Sequence, residues 1–200
     1  TVAAVYVPSD KIELLRELDV RDSKELTDAY MQKIAPLLMQ ALDYSLLVLR
    51  NDKYNELQAK GYSQGKMKAM LHNQALYKLL EKIAPAVPEH ILIDQFAIRK
   101  TYYNHLKGQP NIVEEGVLFA TKAENLHVSV AAASIIARYA FLKEMDKLSK
   151  QVGVTILKGA TSKVDVVAAR ILKTKGEDVL KSVTKWHFAN TDKAKAMLAR

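Results

Sequence analysis

The feature that most constrains the fold is a pair of acids, each at the boundary of an apolar segment. Asp94 ends a short apolar run, His90 to Asp94, that predicts a buried strand. Glu124 opens a stretch that predicts a long central helix reaching about Ser149. An acid at a strand end and an acid at a helix start can meet over one edge of a sheet. Two such carboxylates can hold a divalent metal ion.

Each acid also has a simpler explanation when it is considered alone. An Asp after a strand is often a turn residue or a helix cap. A Glu in a first helical turn is favoured by the helix dipole without any further role. The sequence around the two acids therefore has to decide between these explanations.

Composition points to a basic, globular protein with a polyanionic partner. The chain has 200 residues, enough for one domain, which we predict to span residues 1–200. Its 30 Lys and Arg against 22 Asp and Glu give a formal net charge of +8. A basic domain favours nucleic acid as partner, although a solvated, slightly basic surface has the same net charge.

Cysteine and hydropathy exclude several classes of protein. The chain has no Cys, which excludes a disulfide scaffold, a thiolate zinc site and Cys nucleophile chemistry. The longest apolar run, Val128 to Ala137, is too short to span a bilayer. No signal peptide is evident. We therefore expect a cytoplasmic location and no membrane association.

The order of apolar runs and turn residues predicts an α/β protein with a small mixed sheet and helices on both faces. A capping box, Ser162-x-x-Asp165, predicts the start of one helix. The expected strands are Val2 to Val7, Tyr44 to Leu49, His90 to Asp94 and Val117 to Ala120. The expected helices are 9–18, 27–41, 51–57, 63–84, 98–106, 124–149, 162–174, 178–183 and one from 191.

Seven stretches in order resemble the prokaryotic type 2 ribonuclease H family, and within it ribonuclease HIII. A TKAE motif directly before a SIIAR helix is the most specific of them, and Glu at its end favours HIII over many HII members. The matching stretches are 22–24 (DSK), 51–75, 93–96 (IDQF), 121–124 (TKAE), 131–141 (AAASIIARYAF), 157–160 (LKGA) and 185–190 (KWHFAN).

The resemblance implies a ribonuclease H-like fold and an endonuclease that hydrolyses the RNA strand of RNA–DNA hybrids. Family members use four acids and Mg²⁺ or Mn²⁺, and they leave 5′-phosphate and 3′-hydroxyl ends. Asp94 and Glu124 match the last two acids. The other two belong to an Asp-Glu-x-Gly first strand that is absent here, before the strand that begins at Thr1. We therefore expect the present chain to be inactive or nearly so by itself.

The resemblance also predicts contacts to the nucleic acid. Lys24 and Ser23 match a loop that binds the backbone. Apart from the resemblance, exposed amides and lysines near the start of the helix at Ser63 would form an anion site, and the alternative explanation is a solvated basic face. The aromatic residues Tyr102, Tyr103 and Trp186 can stack on bases, although aromatic residues are more often in the core. The predicted nucleic-acid-binding residues are Ser23, Lys24, Lys60, Gly61, Lys66, Lys68, Lys122, Lys158 and Lys185.

Two other functions stay open at this stage. A binding module of the same fold would have the basic residues without cutting, because two acids are missing. A structural nucleic-acid protein of another class, for instance a ribosomal one, has no need of Glu124 beside an acid partner. No obligate protein partner is expected on any of these hypotheses.

Overall fold

The computed structural model describes residues 1–199 and has mixed α/β structure with far more helix than strand. Two compact units can be separated. The first comprises Thr1–Val48 and Ser63–Ala140, and the second comprises Leu49–Tyr62 and the residues from Phe141 onward. The single domain expected over residues 1–200 stays a prediction.

The strands all lie in the first unit and form two separate pairs. Strand β1 (Val2–Tyr6) pairs antiparallel with β2 (Asp43–Leu47). Strand β3 (Ile91–Asp94) pairs in parallel with β4 (Val117–Ala120). Both kinds of pairing expected of a mixed sheet are therefore present. In the described residues, however, β1–β2 and β3–β4 are two ladders rather than one continuous sheet.

The helices match the predicted series closely, and most bounds agree within a few residues. In the part of the chain that the structure describes they are α1 (Ile12–Glu17), α2 (Asp28–Ala41), α3 (Asn51–Ala59), α4 (Gln64–Ile83), α5 (Arg99–Leu106), α6 (Val128–Val152), α7 (Ser162–Lys175), α8 (Glu177–Val183) and α9 (Ala189–Leu198).

Two helix starts are determined by side-chain caps, at Thr27 and Ser63. The Tyr30 amide donates to Oγ1 of Thr27 at 3.2 Å, which satisfies a free N–H at the start of α2. The Lys66 amide donates to Oγ of Ser63 at 3.1 Å in the same way. Helix α4 consequently begins at Gln64.

The capping box predicted at Ser162 and Asp165 is wrong. Ser162 is the first residue of α7, and Thr161 precedes it without a side-chain cap. The buried Asp165 carboxylate instead accepts a hydrogen bond from the side-chain amide of Asn190, in α9. A contact between remote helices of the second unit has replaced the local cap.

The first unit has its core around the N-terminal half of α6. Ala131, Ala132, Ile135 and Ile136 are fully buried. They cluster with buried residues of α1 and α2, among them Leu15, Ile34 and Leu38. Small residues on α6 let the neighbouring backbones approach closely, as the Ala-rich run predicts.

Two smaller clusters surround the strand pairs of the first unit. Val2 and Ala4 of β1 pack with Ala75, Leu79 and Ile83 of α4. The second cluster joins both strands of the parallel pair to α5, with buried residues at Ile93, Tyr102, Leu106 and Val117. Both strand pairs are thus supported by helical side chains close to the end of β3.

The second unit is helical and has its own core. Helices α7, α8 and α9 contribute buried residues that include Ile171, Leu180 and Ala194. Asn55 of α3 is buried and donates from its amide to the carbonyls of Lys181 and Thr184, both at 3.0 Å. Its side-chain oxygen accepts from the Trp186 amide at 2.9 Å, so α3 is tied to the segment after α8.

We predict that Ile135→Ala destabilises the protein by ~2–5 kcal/mol, because it leaves a cavity in the fully buried α6 cluster. Ile98 is 61% exposed and provides a matched control, since Ile98→Ala should change the free energy of unfolding by less than ~0.5 kcal/mol. Urea unfolding followed by circular dichroism measures both. Equal effects of the two substitutions would contradict the assignment of this core.

Candidate active site

Asp94 is the last residue of β3, beside Ala120 of β4 in the parallel register. Its Oδ1 accepts a hydrogen bond from the backbone amide of Ala123 at 3.1 Å. Ala123 begins a 3-10 turn, Ala123–Asn125, and Lys122 before it has a left-handed φ of +54°. The end of β3 is therefore tied to the turn that carries Glu124.

Glu124 lies in this turn and not in the first turn of α6, which begins only at Val128. The prediction that Glu124 opens the long helix is therefore wrong by one short turn. The left-handed Lys122 reverses the chain after β4, and the turn comes before the helix. The predicted meeting of the two carboxyl-bearing segments is nevertheless present, through the Asp94–Ala123 hydrogen bond.

Lys24 forms an ion pair with Glu124. Its ammonium donates to Oε1 of Glu124 and lies 3.8 Å from Oδ1 of Asp22. Lys24 belongs to the 3-10 turn Ser23–Glu25, which Asp22 caps by accepting the Lys24 amide at 2.9 Å. Three charged groups from two remote stretches of the chain are thus assembled at one place.

Asp22 is the site residue that sequence reasoning missed. The matching stretch DSK contains Asp22, but only Asp94 and Glu124 are predicted from the sequence as carboxylates of the site. The structure buries it to 9% exposure beside Glu124. One signal in the sequence points to Asp22: it lies two residues before Lys24 in the stretch that matches the family's loop.

Ser23 fixes the loop to the long helix. Its Oγ is 2.7 Å from Oγ of Ser134 in α6, within hydrogen-bond distance. The resemblance predicts that Ser23 binds nucleic acid, and that role stays a prediction. The structure shows how the Asp22–Lys24 segment is fixed: the Lys24 amide donates to Asp22, and the Ser23 side chain contacts Ser134.

The electrostatics of the site are dominated by burial of Glu124. Burial raises the pKa of Glu124, and the neighbouring Asp22 acts in the same direction against the lowering by Lys24. The hydrogen bond from the Lys24 amide lowers the pKa of Asp22, and the neighbouring Glu124 acts in the same direction. The hydrogen bond with Glu124 raises the pKa of Lys24. Burial thus disfavours the charged form of Glu124, and a cation beside the carboxylate favours that form.

The donor set suits a hard divalent cation. Carboxylate oxygens are the ligands that Mg²⁺ and Mn²⁺ take, and Mg²⁺ is commonly held by one or two carboxylates together with water and phosphate oxygens. The ammonium on Glu124 shows that a cation is accommodated there. Within residues 1–199, however, no group of three or more His, Cys, Asp or Glu is arranged to hold a metal.

A cleft of about 300 Å³ reaches this site within the first unit. All residues of β1 and β3 line it, and Asp94 and Glu124 are among its lining residues. Each of these strands is paired on one edge only, β1 with β2 and β3 with β4. The cleft therefore separates two strands that each lack a second partner strand in the described residues.

The predicted basic residues of the first unit have varied surroundings. Lys122 is exposed just before the turn of Glu124. Lys68 lies over the ring of Phe96, with 4.6 Å from its ammonium to the ring centroid. The Lys66 amide is already bonded to Ser63, so the expected anion site at the start of α4 has one amide fewer to offer.

The other predicted residues belong to the second unit. Lys60 pairs with Glu56 at 2.6 Å, and Gly61 has a left-handed φ of +83°. Lys158 is exposed. Lys185 lies over the rings of Tyr54 and Phe188, at 4.9 and 5.2 Å. Their roles in binding nucleic acid stay predictions.

The aromatic candidates divide as the core explanation predicts. Tyr102 is fully buried within a cluster of rings, and Tyr103 and Trp186 are half-buried. His72 packs against Phe96 with 4.8 Å between ring centroids and lines the cleft. None of the described helices combines the length and apolarity needed to cross a bilayer.

The fold and the site together define a class: a basic mixed α/β protein with a carboxylate pair suited to a divalent cation. The family model described as ribonuclease HII matches residues 1–191. The chain belongs to this ribonuclease family, which confirms the resemblance drawn from its motifs.

Relatives named ribonuclease HIII are similar over nearly all of this chain. The protein from Lysinibacillus sphaericus is 65% identical over 198 residues, which are 99% of this chain and 64% of that protein. The one from Bacillus subtilis is 54% identical over 197 residues, 98% of this chain and 63% of that protein. The chain thus spans slightly less than two thirds of these relatives' length.

Solved structures confirm the predicted fold. A crystal structure of Bst-RNase HIII in complex with Mn²⁺ has a TM-score of 0.96 and 49% identity, over 98% of this chain and 63% of that one. The ribonuclease H2 of Pyrococcus horikoshii has a TM-score of 0.76 over 100% of this chain and 99% of that one. At 22% identity the second similarity concerns the fold alone.

We predict that His72 makes stability depend on pH. Burial lowers the pKa of His72 to about 4, and Lys68 acts in the same direction. The unfolded chain therefore binds more protons between pH ~6.5 and ~4, so the free energy of unfolding falls as the pH is lowered through this window. His72→Asn should reduce the fall by ~1–3 kcal/mol.

Urea unfolding at several pH values between 4 and 7.5 measures this difference. The exposed His90, which lines the same cleft, provides the control, and His90→Asn should leave the pH dependence of the parent unchanged. A His72→Asn profile that runs parallel to the parent's would contradict the prediction.

Proposed function

We propose that this chain is most of the catalytic domain of an endoribonuclease that hydrolyses the RNA strand of RNA–DNA hybrids. The reaction uses Mg²⁺ or Mn²⁺ and gives 5′-phosphate and 3′-hydroxyl ends. One observation carries the proposal. Asp94 and Glu124, the acids that match the family's last two, are tied together by the hydrogen bond between the Ala123 amide and Asp94.

Family membership and the names of the relatives support this activity. A Mn²⁺ complex exists for the similar Bst-RNase HIII. The formal net charge of +8 suits a polyanionic substrate. A cytoplasmic location and the absence of an obligate protein partner belong to the same proposal.

In this proposal Asp94 and Glu124 hold the metal, and the predicted basic residues hold the phosphate backbone. A bound divalent ion would supply Lewis-acid activation of water and stabilisation of the leaving oxygen. The protein's own part is to fix the two carboxylates and to place positive charge nearby. Lys24 and Lys122 are the lysines next to the acid pair in the first unit.

In this proposal the family's other two acids belong to a further strand that lies in the cleft between β1 and β3. In the described residues β1 and β3 each have one edge whose backbone donors and acceptors lack a partner strand, and these two edges line the cleft. A further strand with acidic residues would satisfy these groups and end beside Asp94. This arrangement accounts for a site with two carboxylates from this chain.

A second candidate is a nucleic-acid-binding module of the same fold that does not cut. One observation favours it: the described residues contain no cluster of three metal-binding side chains. Both candidates bind hybrid, and only the first cleaves it. The experiments below therefore measure binding and cleavage separately.

We predict that Asp94→Asn and Glu124→Gln, each made in the complete protein, lower turnover on an RNA–DNA hybrid by ~10²-fold or more. Both substitutions are nearly isosteric, and Glu124→Gln also removes a charge beside the neighbouring Asp22, so stability should hold or rise. Hybrid binding without metal should also hold or improve. Single-turnover cleavage, filter binding and thermal unfolding provide the three measurements.

Matched controls are Asp10→Asn and Glu89→Gln, which neutralise exposed acids of the first unit and should leave turnover within ~2-fold, since exposed substitutions away from a site have small effects. Near-normal turnover of Asp94→Asn combined with a much lower melting temperature would make Asp94 a structural cap and remove the catalytic proposal.

We predict that the 200-residue chain alone shows no appreciable cleavage, because two acids are too few for a two-ion site. Its binding to hybrid should weaken steeply with salt, since lysine contacts to phosphates release counterions. Gel-based cleavage assays and binding titrations at 50–200 mM salt test both parts. Clear metal-dependent cleavage by this chain would refute our account of the missing acids.

A further inference from the structure

The Lys24–Glu124 ion pair is strongly asymmetric. The Lys24 side chain is 71% exposed, whereas the Glu124 side chain is only 5% exposed. Glu124 is held in a short turn next to the bonded Asp94–Ala123 pair. The ammonium can therefore return to solvent when another cation replaces it at Glu124, whereas the buried carboxylate cannot follow it.

The Lys24 ammonium and the proposed divalent metal compete for the carboxylate of Glu124. Oε1 of Glu124 accepts the hydrogen bond of Lys24, and the proposed function assigns Glu124 to a divalent metal. An ammonium in contact with a metal ligand repels the incoming ion and blocks one of the oxygens it needs. Lys24 and the metal cannot both occupy this position.

The backbone of the loop does not need to move for Lys24 to leave. Asp22 accepts the Lys24 amide, and Ser23 is bonded to Ser134 of α6. These contacts involve the backbone of Lys24 and its neighbours but not its side chain. Rotation about the lysine side-chain bonds is sufficient to move the ammonium away from Glu124.

We propose that Lys24 is a displaceable counter-cation, which neutralises Glu124 in the metal-free protein and is expelled when a divalent metal binds there. The inference rests on the proposed function, because it takes Glu124 as a metal ligand. Metal binding then changes the role of Lys24. The released ammonium stays next to the acid pair and becomes available to a phosphate group.

Metal binding and polyanion binding are consequently coupled through one side chain. In the metal-free protein Lys24 is engaged by Glu124, so it contributes less to phosphate binding than an uncommitted lysine would. A metal frees it, and a phosphate that captures it favours metal binding by the same factor. Removing Lys24 should weaken this coupling and also make the metal site easier to fill.

The first test measures Mn²⁺ binding to the complete protein without nucleic acid, by electron paramagnetic resonance of free Mn²⁺. Lys24→Met should bind Mn²⁺ about three- to ten-fold more tightly, the effect expected when an exposed competing ion pair is removed. Arg21→Met removes the same charge next to Asp22 from a residue whose ion pairs are with Asp19 and Glu25. This control should change the dissociation constant less than about two-fold.

The second test observes the Lys24 ammonium directly by ¹H–¹⁵N spectroscopy of lysine side chains, with Lys24→Met to assign its signal. In the metal-free protein Glu124→Gln should shift this signal, because it weakens the ion pair. Saturating Mg²⁺ should shift the parent's signal towards its position in Glu124→Gln. The backbone amide of Ala123, bonded to Asp94, reports metal binding independently.

The outcomes separate this inference from the proposed function. One outcome refutes the displacement and leaves the metal site standing. In it Mg²⁺ shifts the Ala123 amide signal but not the Lys24 signal, and Mn²⁺ binds Lys24→Met no more tightly than the parent. If Asp94→Asn and Glu124→Gln both bind Mn²⁺ as the parent does, the metal site itself is refuted, and the displacement with it. Tighter binding to Lys24→Met, together with a Mg²⁺-dependent Lys24 signal, supports both.

Discussion

The hydrogen bond from the Ala123 amide to the Asp94 carboxylate is the constraint on which the candidate site depends. It connects the last residue of β3 to the turn after β4, and so to Glu124. The parallel pairing of β3 and β4 brings the carboxyl ends of the two strands to the same edge of the sheet. A left-handed residue at Lys122 then turns the chain back, which places an amide where the carboxylate can accept it. Without this bond, only the pairing of β3 with β4 would keep the two acids near each other.

Local pattern was sufficient to predict most elements of the fold. The caps at Thr27 and Ser63 act through their own side chains on amides three residues away, so they can be recognised in the sequence. The apolar runs of β3, β4 and α6 identify the buried elements in the same local way. The capping box at Ser162 and Asp165 was predicted wrongly because a remote partner had taken over. Asp165 bonds to Asn190 instead of capping α7.

The site was predicted only in part, for the same physical reason. Asp94 and Glu124 could be recognised because each lies at the boundary of an apolar segment and in a family motif. Their environment could not, because the ion pair of Glu124 with Lys24 and the proximity of Asp22 join stretches far apart in the chain. Sequence reasoning assigned Lys24 to phosphate, while the structure places its ammonium on a carboxylate. Both can be true in succession if the lysine changes partner.

Burying two carboxyl groups beside one another raises the free energy of the folded chain, and one lysine offsets only part of it. Burial is the main cause that raises the pKa of Glu124, Asp22 acts in the same direction, and the contact with Lys24 lowers it. A site of this kind is suited to receive additional positive charge, and the exposed side of Lys24 leaves room for it. The cleft beside it has the complementary property. Within residues 1–199 its two strand edges have no partner strand, so the cleft is suited to receive a further strand through backbone hydrogen bonds. Asp94 and Glu124 lie among the residues that line this cleft, so the proposed further strand and the proposed divalent cation would meet at one site.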